Sequence, residues 1–127
     1  MAEPQRIVRP LSPHLQIYRP QLTSITSILT RITGNGLIVG TILLVWWLFA
    51  MTRGGDHYDL ANRVIHSWPG TIVMTLSLWA VWYHYLAGLR HLLFDAGRGL
   101  EVHRAERLGW GIIIGSVVLT VLTFFVI

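Results

Sequence analysis

Apolar residues in this chain fall in three long blocks, without the polar faces that would mark an amphipathic soluble bundle. The blocks run roughly from Ser24 to Met51, from Trp68 to Phe94 and from Leu108 to Ile127. At about 1.5 Å per residue the first reaches about 42 Å, and the third just crosses a hydrocarbon core about 30 Å thick. The pattern predicts an all-α integral membrane protein with three transmembrane helices, over 24–51, 68–94 and 108–127, joined by two short loops. The two halves of the first block differ. Leu37 to Met51 is almost wholly apolar, whereas Ser24 to Gly36 carries Ser, Thr, Asn and Arg31 and so sits at the interface or faces protein. Gly34-Asn35-Gly36 is a weak stretch for a helix in water but suits close packing in a membrane, and Pro69 stands where a first helical turn accepts it. In the third block Gly109, Gly111, Gly115 and Ser116 offer a small-residue face for helix contact.

Residues 1–23 read as an arm. Arg9-Pro10-Leu11-Ser12-Pro13-His14 and Tyr18-Arg19-Pro20 suggest an extended, proline-stiffened segment on the cytoplasmic surface. No apolar run precedes a cleavage site there, so the arm does not read as a signal peptide. The other 104 residues, 24–127, form one transmembrane anchor domain, and a chain of 127 residues leaves no room for a second.

Composition sharpens this. Hydrophobic residues make up 53% of the chain and charged ones 13%, too apolar for an ordinary soluble domain. Cysteine is absent, so any metal chemistry must use histidine, carboxylate or methionine. The formal net charge is +4 and all ten cations are arginine, placed mostly beside the apolar blocks. Arg6, Arg9, Arg19 and Arg31 lie at the N-terminal end, Arg53 and Arg63 between the first two blocks, and Arg98, Arg104 and Arg107 between the last two. Arginine excess in short loops marks the cytoplasmic side, so the N-terminus and second loop are expected inside, with the first loop and Ile127 outside. The basic charge is therefore a topology signal for a lipid bilayer and not a nucleic-acid footprint.

Ionisable groups within a span are costly and each demands a partner. The second span holds His84, Arg90 and His91, with Asp95 at its end. His84 lies about 15 Å before Phe94, inside the hydrocarbon. It could simply hydrogen-bond to a neighbouring helix, or it could ligate haem iron, which neutral imidazole suits. His84, Gly88 and His91 share a helix face, and glycine at the middle position leaves a gap in which a porphyrin could lie. His91 stands about 10 Å from His84 along the helix, too far to ligate the same iron. His14, His57, His66 and His103 fall in the arm or loops, so any sixth ligand comes from another chain. On the first span Ser27 and Arg31 share a face, with Ser24 one turn earlier. Arg31 could snorkel to lipid phosphates, meet haem propionates together with His91, or join Ser27 in hydrogen-bonding a quinone carbonyl. By position all three roles stand.

Two stretches carry a family resemblance. Arg9-Pro10-Leu11-Ser12-Pro13-His14-Leu15, Tyr18-Arg19-Pro20-Gln21-Leu22-Thr23-Ser24 and Ser27-Ile28-Leu29-Thr30-Arg31-Ile32-Thr33-Gly34 together form the first. His84-Tyr85-Leu86-Ala87-Gly88-Leu89-Arg90-His91-Leu92-Leu93-Phe94-Asp95-Ala96-Gly97 is the second. In this order they resemble the two signatures of the large cytochrome b (b556-type) membrane-anchor subunits of succinate dehydrogenase, and length and span number agree. The resemblance implies that His84 is an axial ligand of haem b, with the other axial histidine supplied by a small anchor subunit. It implies a ubiquinone pocket formed with Ser27 and Arg31, with Ile28 on its wall, close to the iron–sulfur subunit. Succinate oxidation would belong to the flavoprotein subunit, so this chain would carry no catalytic residue of its own. The family usually has histidine where this chain has Thr30. The wording of the first stretch looks closer to alphaproteobacterial and mitochondrial members than to the enterobacterial type.

The expected function is that of an electron-transport and tricarboxylic-acid-cycle subunit, passing electrons from the iron–sulfur subunit to quinone. A haem-free structural anchor and the anchor of a quinol:fumarate reductase are the alternatives. With no presequence ahead of Arg9, the bacterial inner membrane is expected before the mitochondrial one. The arginine distribution makes a direct prediction. Reporter fusions will place Met1 and the Arg98–Arg107 segment in the cytoplasm and Asp56 and Ile127 outside; a cytoplasmic Ile127 would overturn the orientation or the span count.

Overall fold

The computed structural model describes residues 17–126. Four helices follow in order: α1 (Leu22–Arg53), α2 (Gly55–Ile65), α3 (Trp68–Asp95) and α4 (Val102–Val126). Three of them, α1, α3 and α4, are long and apolar enough to cross a membrane. Their 32, 28 and 25 residues give about 48, 42 and 38 Å, so each overshoots the hydrocarbon. The expected spans are all present, and each is longer than its apolar block. Ile17 to Gln21, between the undescribed residues 1–16 and α1, is non-helical; the expected proline-stiffened arm lies mostly outside the described residues.

Two expectations need correction. The first loop is not a loop but α2, a short helix of mixed composition that packs on α1, with Ala61 fully buried and Leu60 and Val64 exposed. His57 thus lies on a helix, and His66 is its C-cap. The second loop is shorter than expected. Helix α4 begins at Val102, which places His103, Arg104 and Arg107 on helix and leaves only the segment from Ala96 to Glu101 as the turn.

Local chemistry sets the boundaries. Gly54 and Gly55, with φ of 64° and 53°, turn the chain from α1 into α2. Only glycine takes two such left-handed positions in succession without steric cost. The Ser67 hydroxyl caps α3 by accepting the Gly70 N–H at 3.3 Å, with Pro69 in the first turn. At the other end of α3, Arg98 N–H donates to Leu93 O at 3.0 Å and Gly97 N–H to Phe94 O at 2.9 Å, with φ of 70° at Gly97. This is a Schellman closure, which satisfies the last carbonyls of the helix.

Between the spans, small residues let the backbones approach. The buried positions are Thr26, Thr33 and Gly40 on α1, Ala80, Tyr83, Ala87 and Arg90 on α3, and Ala105, Gly109, Ile112, Ser116 and Thr120 on α4. They recur at the three-and-four spacing of one helix face. Lipid is as apolar as leucine and gives no hydrophobic drive to helix pairing, so close packing and interhelical hydrogen bonds must supply it. Most large aliphatic side chains accordingly point outward, among them Ile38, Ile42, Val118 and Leu122. The glycines on α4 divide by phase. Gly109 packs against Leu22 and Thr26 of α1, and Gly115 against Leu86 of α3, but a Cβ on Gly111 would meet nothing within 4 Å. Gly111 is therefore not part of the contact face that sequence suggested.

At Gly40, α1 closes tightly on Ser77 of α3. A Cβ there would collide with the Ser77 hydroxyl and lie 2.8 Å from Ser77 Cβ. Gly40→Ala should lower stability by about 1–3 kcal/mol through overpacking. Ser77→Gly in the same chain should restore it and Ser77→Ala should not, because the clash includes Cβ. Thermal unfolding of the purified complex is the measurement, and equal rescue by both second substitutions would refute this account.

Candidate functional site

The site grows from the seam between α1 and α3. Thr26 is buried on α1, and its carbonyl accepts from the Tyr83 hydroxyl at 3.0 Å and from the Thr30 hydroxyl at 2.8 Å. Its own hydroxyl donates to Thr23 O at 3.1 Å and accepts from Arg90 Nη1 at 2.8 Å. Arg90 is 9% exposed and its guanidinium carbon stands 4.8 Å over the Phe94 ring. A charge buried between two spans needs such partners, since burial without them is prohibitive. Tyr83 itself is 0% exposed and centres a small core with Ala87 and Ile112.

One turn beyond Thr26, the Thr30 carbonyl meets His84. His84 Nδ1 lies 3.1 Å from Thr30 O and 3.4 Å from the Thr33 hydroxyl. A carbonyl can only accept, so Nδ1 carries the hydrogen. The Thr33 hydroxyl donates to Leu29 O at 2.8 Å, which leaves its lone pairs free to face the same N–H. Nε2 of His84 then holds the lone pair. Gly34 makes room for the ring: a Cβ there would stand 3.0 Å from His84 Cε1. His84 is half-buried, and one turn on, a Cβ at Gly88 would meet nothing within 4 Å.

The remaining candidates sit around this centre without touching it. At about 100° per residue, Ser27 falls two turns before Gly34 on nearly the same line of α1, and Arg31 is on that same flank. Ser27 is half-buried and Arg31 exposed, and among the described residues neither bonds to His84 or His91. Ile28 is 54% exposed and turned further round the helix. His91, on the line of His84 and Gly88, is exposed with its ring edge-on to Phe94 at 6.4 Å. Among the described residues no three histidine, aspartate or glutamate side chains gather as a metal cluster.

Sequence reasoning flagged Arg90 as needing a partner but did not find it, and it missed Tyr83 and Thr26 altogether. It also missed how α4 is held. Trp79 Nε1 donates to the Ser116 hydroxyl at 3.1 Å, and Trp82 Nε1 to the Thr123 hydroxyl at 3.0 Å, so two indoles bind α3 to α4. The signal for both pairs was available, since a buried indole or guanidinium seeks an acceptor, but the choice among many hydroxyls was not.

Comparison with known proteins decides the family. The model of the succinate dehydrogenase/fumarate reductase transmembrane subunit matches residues 5–123. The chain belongs to that family. A succinate dehydrogenase cytochrome b556 subunit of Paracoccus denitrificans is 53% identical over 126 residues, covering 99% of this chain and 97% of the relative. The cytochrome b556 subunit of Rickettsia conorii is 40% identical over 90% of this chain and 89% of its own length. A cytochrome b560 subunit from Reclinomonas americana is 36% identical over 82% and 76%. As a succinate dehydrogenase membrane-anchor subunit of the cytochrome b type, the chain matches the Paracoccus relative over nearly its whole length.

The seam generates a prediction of its own. Thr26→Val strands one N–H of the buried Arg90, at a cost of about 1–3 kcal/mol. Thr26→Ser keeps the hydroxyl and should stay close to the parent. Melting of the two variants, assembled with their partner subunits, is compared; equal stability would mean that the Arg90–Thr26 bond holds nothing.

Proposed function

We propose that this subunit carries haem b on His84 and helps to form the site at which its complex reduces ubiquinone. The observation that supports this best is the His84 ring: its Nδ1–H is committed to the Thr30 carbonyl at 3.1 Å, and Nε2 is left as the donor atom. Ligating histidines are usually held in this way, the second nitrogen bonded so that tautomer and ring plane are fixed. The open space at Gly88 and the close seat at Gly34 suit a flat macrocycle beside the ring. When bound, the haem supplies a one-electron redox centre. This chain's residues would fix the imidazole through Thr30 and seat its ring against Gly34, and would offer His91 and Arg31 at the level where propionates would emerge. The family's usual histidine is Thr30 here, and its backbone carbonyl serves as the support for His84.

Ser27 and Arg31 form the quinone end of this proposal. Both lie on the His84 flank of α1, nearer its N-terminal end, with Ile28 beside them on the exposed side. Ser27 can donate to a quinone carbonyl, and Arg31 can stabilise the negative charge that builds on the ring as it is reduced. The second axial histidine would come from a small anchor subunit, and electrons from an iron–sulfur subunit reduced by a flavoprotein. The arginine pattern supports placing this end at the cytoplasmic face of a bacterial inner membrane. A quinol:fumarate reductase anchor would share the geometry and differ in direction; the cytochrome b556 relatives, named for succinate dehydrogenase, favour the first.

The test combines spectra and rates on the assembled complex. His84→Ala should abolish the low-spin bis-histidine spectrum while His91→Ala keeps a low-spin haem; an unchanged spectrum in the first variant would sink the assignment. Ser27→Ala should lower quinone reduction about tenfold or more, the effect of one lost buried hydrogen bond. Arg31→Ala should lower it at least as far. Succinate oxidation with an artificial acceptor should stay near the parent rate in both. Parallel loss of both activities would show that these residues hold the complex together and do not handle quinone.

A further inference from the structure

Two guanidiniums border one groove between α3 and α4. Arg90 and Arg107 border a space of about 230 Å³ between α3 and α4, whose other walls include Leu89, Leu93 and Leu108. Neither arginine has a carboxylate partner among the described residues, where the one ion pair is Arg104 with Glu101. Arg90 is 9% exposed and its Nε is buried with no hydrogen-bond partner, while Arg107 is exposed. Arg90 stands five residues before the end of α3 at Asp95, and Arg107 five after the start of α4 at Val102. Each is thus about 7.5 Å from its helix end. Centred on a hydrocarbon core about 30 Å thick, α3 would extend about 6 Å beyond it at each end and α4 about 4 Å, so both guanidiniums fall within a few ångströms of its boundary. Trp110, 56% exposed on α4, lies one turn deeper than Arg107.

The floor of the groove is equally specific. Gly111 lines it, and a Cβ there would meet no atom within 4 Å, so the absence of a side chain keeps the channel open. Two cations without a carboxylate partner, beside an apolar channel and near the ends of their spans, match the chemistry of a lipid with a charged head and a hydrocarbon tail. At about 100° per residue, Leu89 and Leu93 lie about 140° and 180° round α3 from His84, so a partner seated over the histidine would leave this groove uncovered.

We propose that the α3–α4 groove is a binding site for one anionic phospholipid, its phosphate held by Arg90 and Arg107 and an acyl chain laid along Leu89, Leu93 and Gly111. The complex with its partner subunits is exchanged into detergent, titrated with phosphatidylglycerol or phosphatidylcholine, and the bound lipid counted by native mass spectrometry. One phosphatidylglycerol should be retained in preference to phosphatidylcholine. Arg107→Gln should weaken it about fivefold, the share of one cation at the surface. Arg107→Lys should keep most of the binding, and Gly111→Leu should displace the lipid with no change of charge. Melting temperature and subunit composition are recorded for each variant; if Gly111→Leu fails to assemble, the headgroup preference and Arg107→Gln still decide. Equal retention of both lipids, wild-type affinity in Arg107→Gln, or no retained lipid because a partner's carboxylate fills the groove would each overturn the proposal.

Discussion

A guanidinium 9% exposed inside a transmembrane bundle dictates how two helices meet. Arg90 cannot shed its charge and is almost wholly enclosed by protein, so it must find an acceptor on a neighbour. Thr26 provides it, and the carbonyl of that same residue takes the Tyr83 hydroxyl. Two contacts from α3 converge on one residue of α1, so a slide by a single residue would break both. With the register set, the Thr30 carbonyl arrives opposite His84 and Gly34 arrives beside its ring. The orientation of the imidazole therefore follows from a hydrogen bond about 9 Å further along α3.

The division of labour among the spans follows from the same scarcity of driving force. Against α1, helix α3 uses close contact of small residues, Gly40 over Ser77 and Gly34 beside His84, and the Arg90–Thr26–Tyr83 bonds. Against α4 it uses two indole donors to hydroxyls, Trp79 to Ser116 and Trp82 to Thr123. Helix α2 is anchored by Ala61, at 0% exposure, and by Tyr58 packed near Trp47 with ring centres 6.5 Å apart. The α1–α3 pairing sets the imidazole, and the α3–α4 pairing backs it from the far side.

What the sequence made legible were the features fixed by one helix alone. Apolar blocks longer than a bilayer is thick, proline in the first turn of α3, and His84, Gly88 and His91 on one line can all be read without a neighbour. Hydropathy located the hydrocarbon-crossing part of α4 but not its start, because Val102 to Arg107 is helical and charged. Helix α2 was hidden for a similar reason: Asp56, His57, Asp59 and Arg63 read as loop composition, and its one fully buried residue is an alanine. Gly111 was grouped with Gly109 because both are small; two residues apart, they lie nearly opposite each other on the helix. The partner of Arg90 depends on the register of α1 against α3, which no property of either strip of sequence contains.

Hydroxyl groups inside these spans mostly satisfy themselves. Thr30, Thr33, Ser77, Ser116, Thr120 and Thr123 each donate to a carbonyl three or four residues earlier on the same helix. Such bonds need no second helix, so the polar content of the spans adds little to the cost of leaving the translocation machinery for lipid. Biogenesis can then proceed in two stages: the chain dissolves in the bilayer as separate helices, and assembly is reserved for the few groups that cannot bond at home. Those groups are the Arg90 guanidinium, the Tyr83 hydroxyl, the Trp79 and Trp82 indoles and the His84 imidazole, and all of them belong to α3. One helix thus carries the instructions for joining the others, and a newly inserted chain has no specific fold until α3 has reached both of its neighbours.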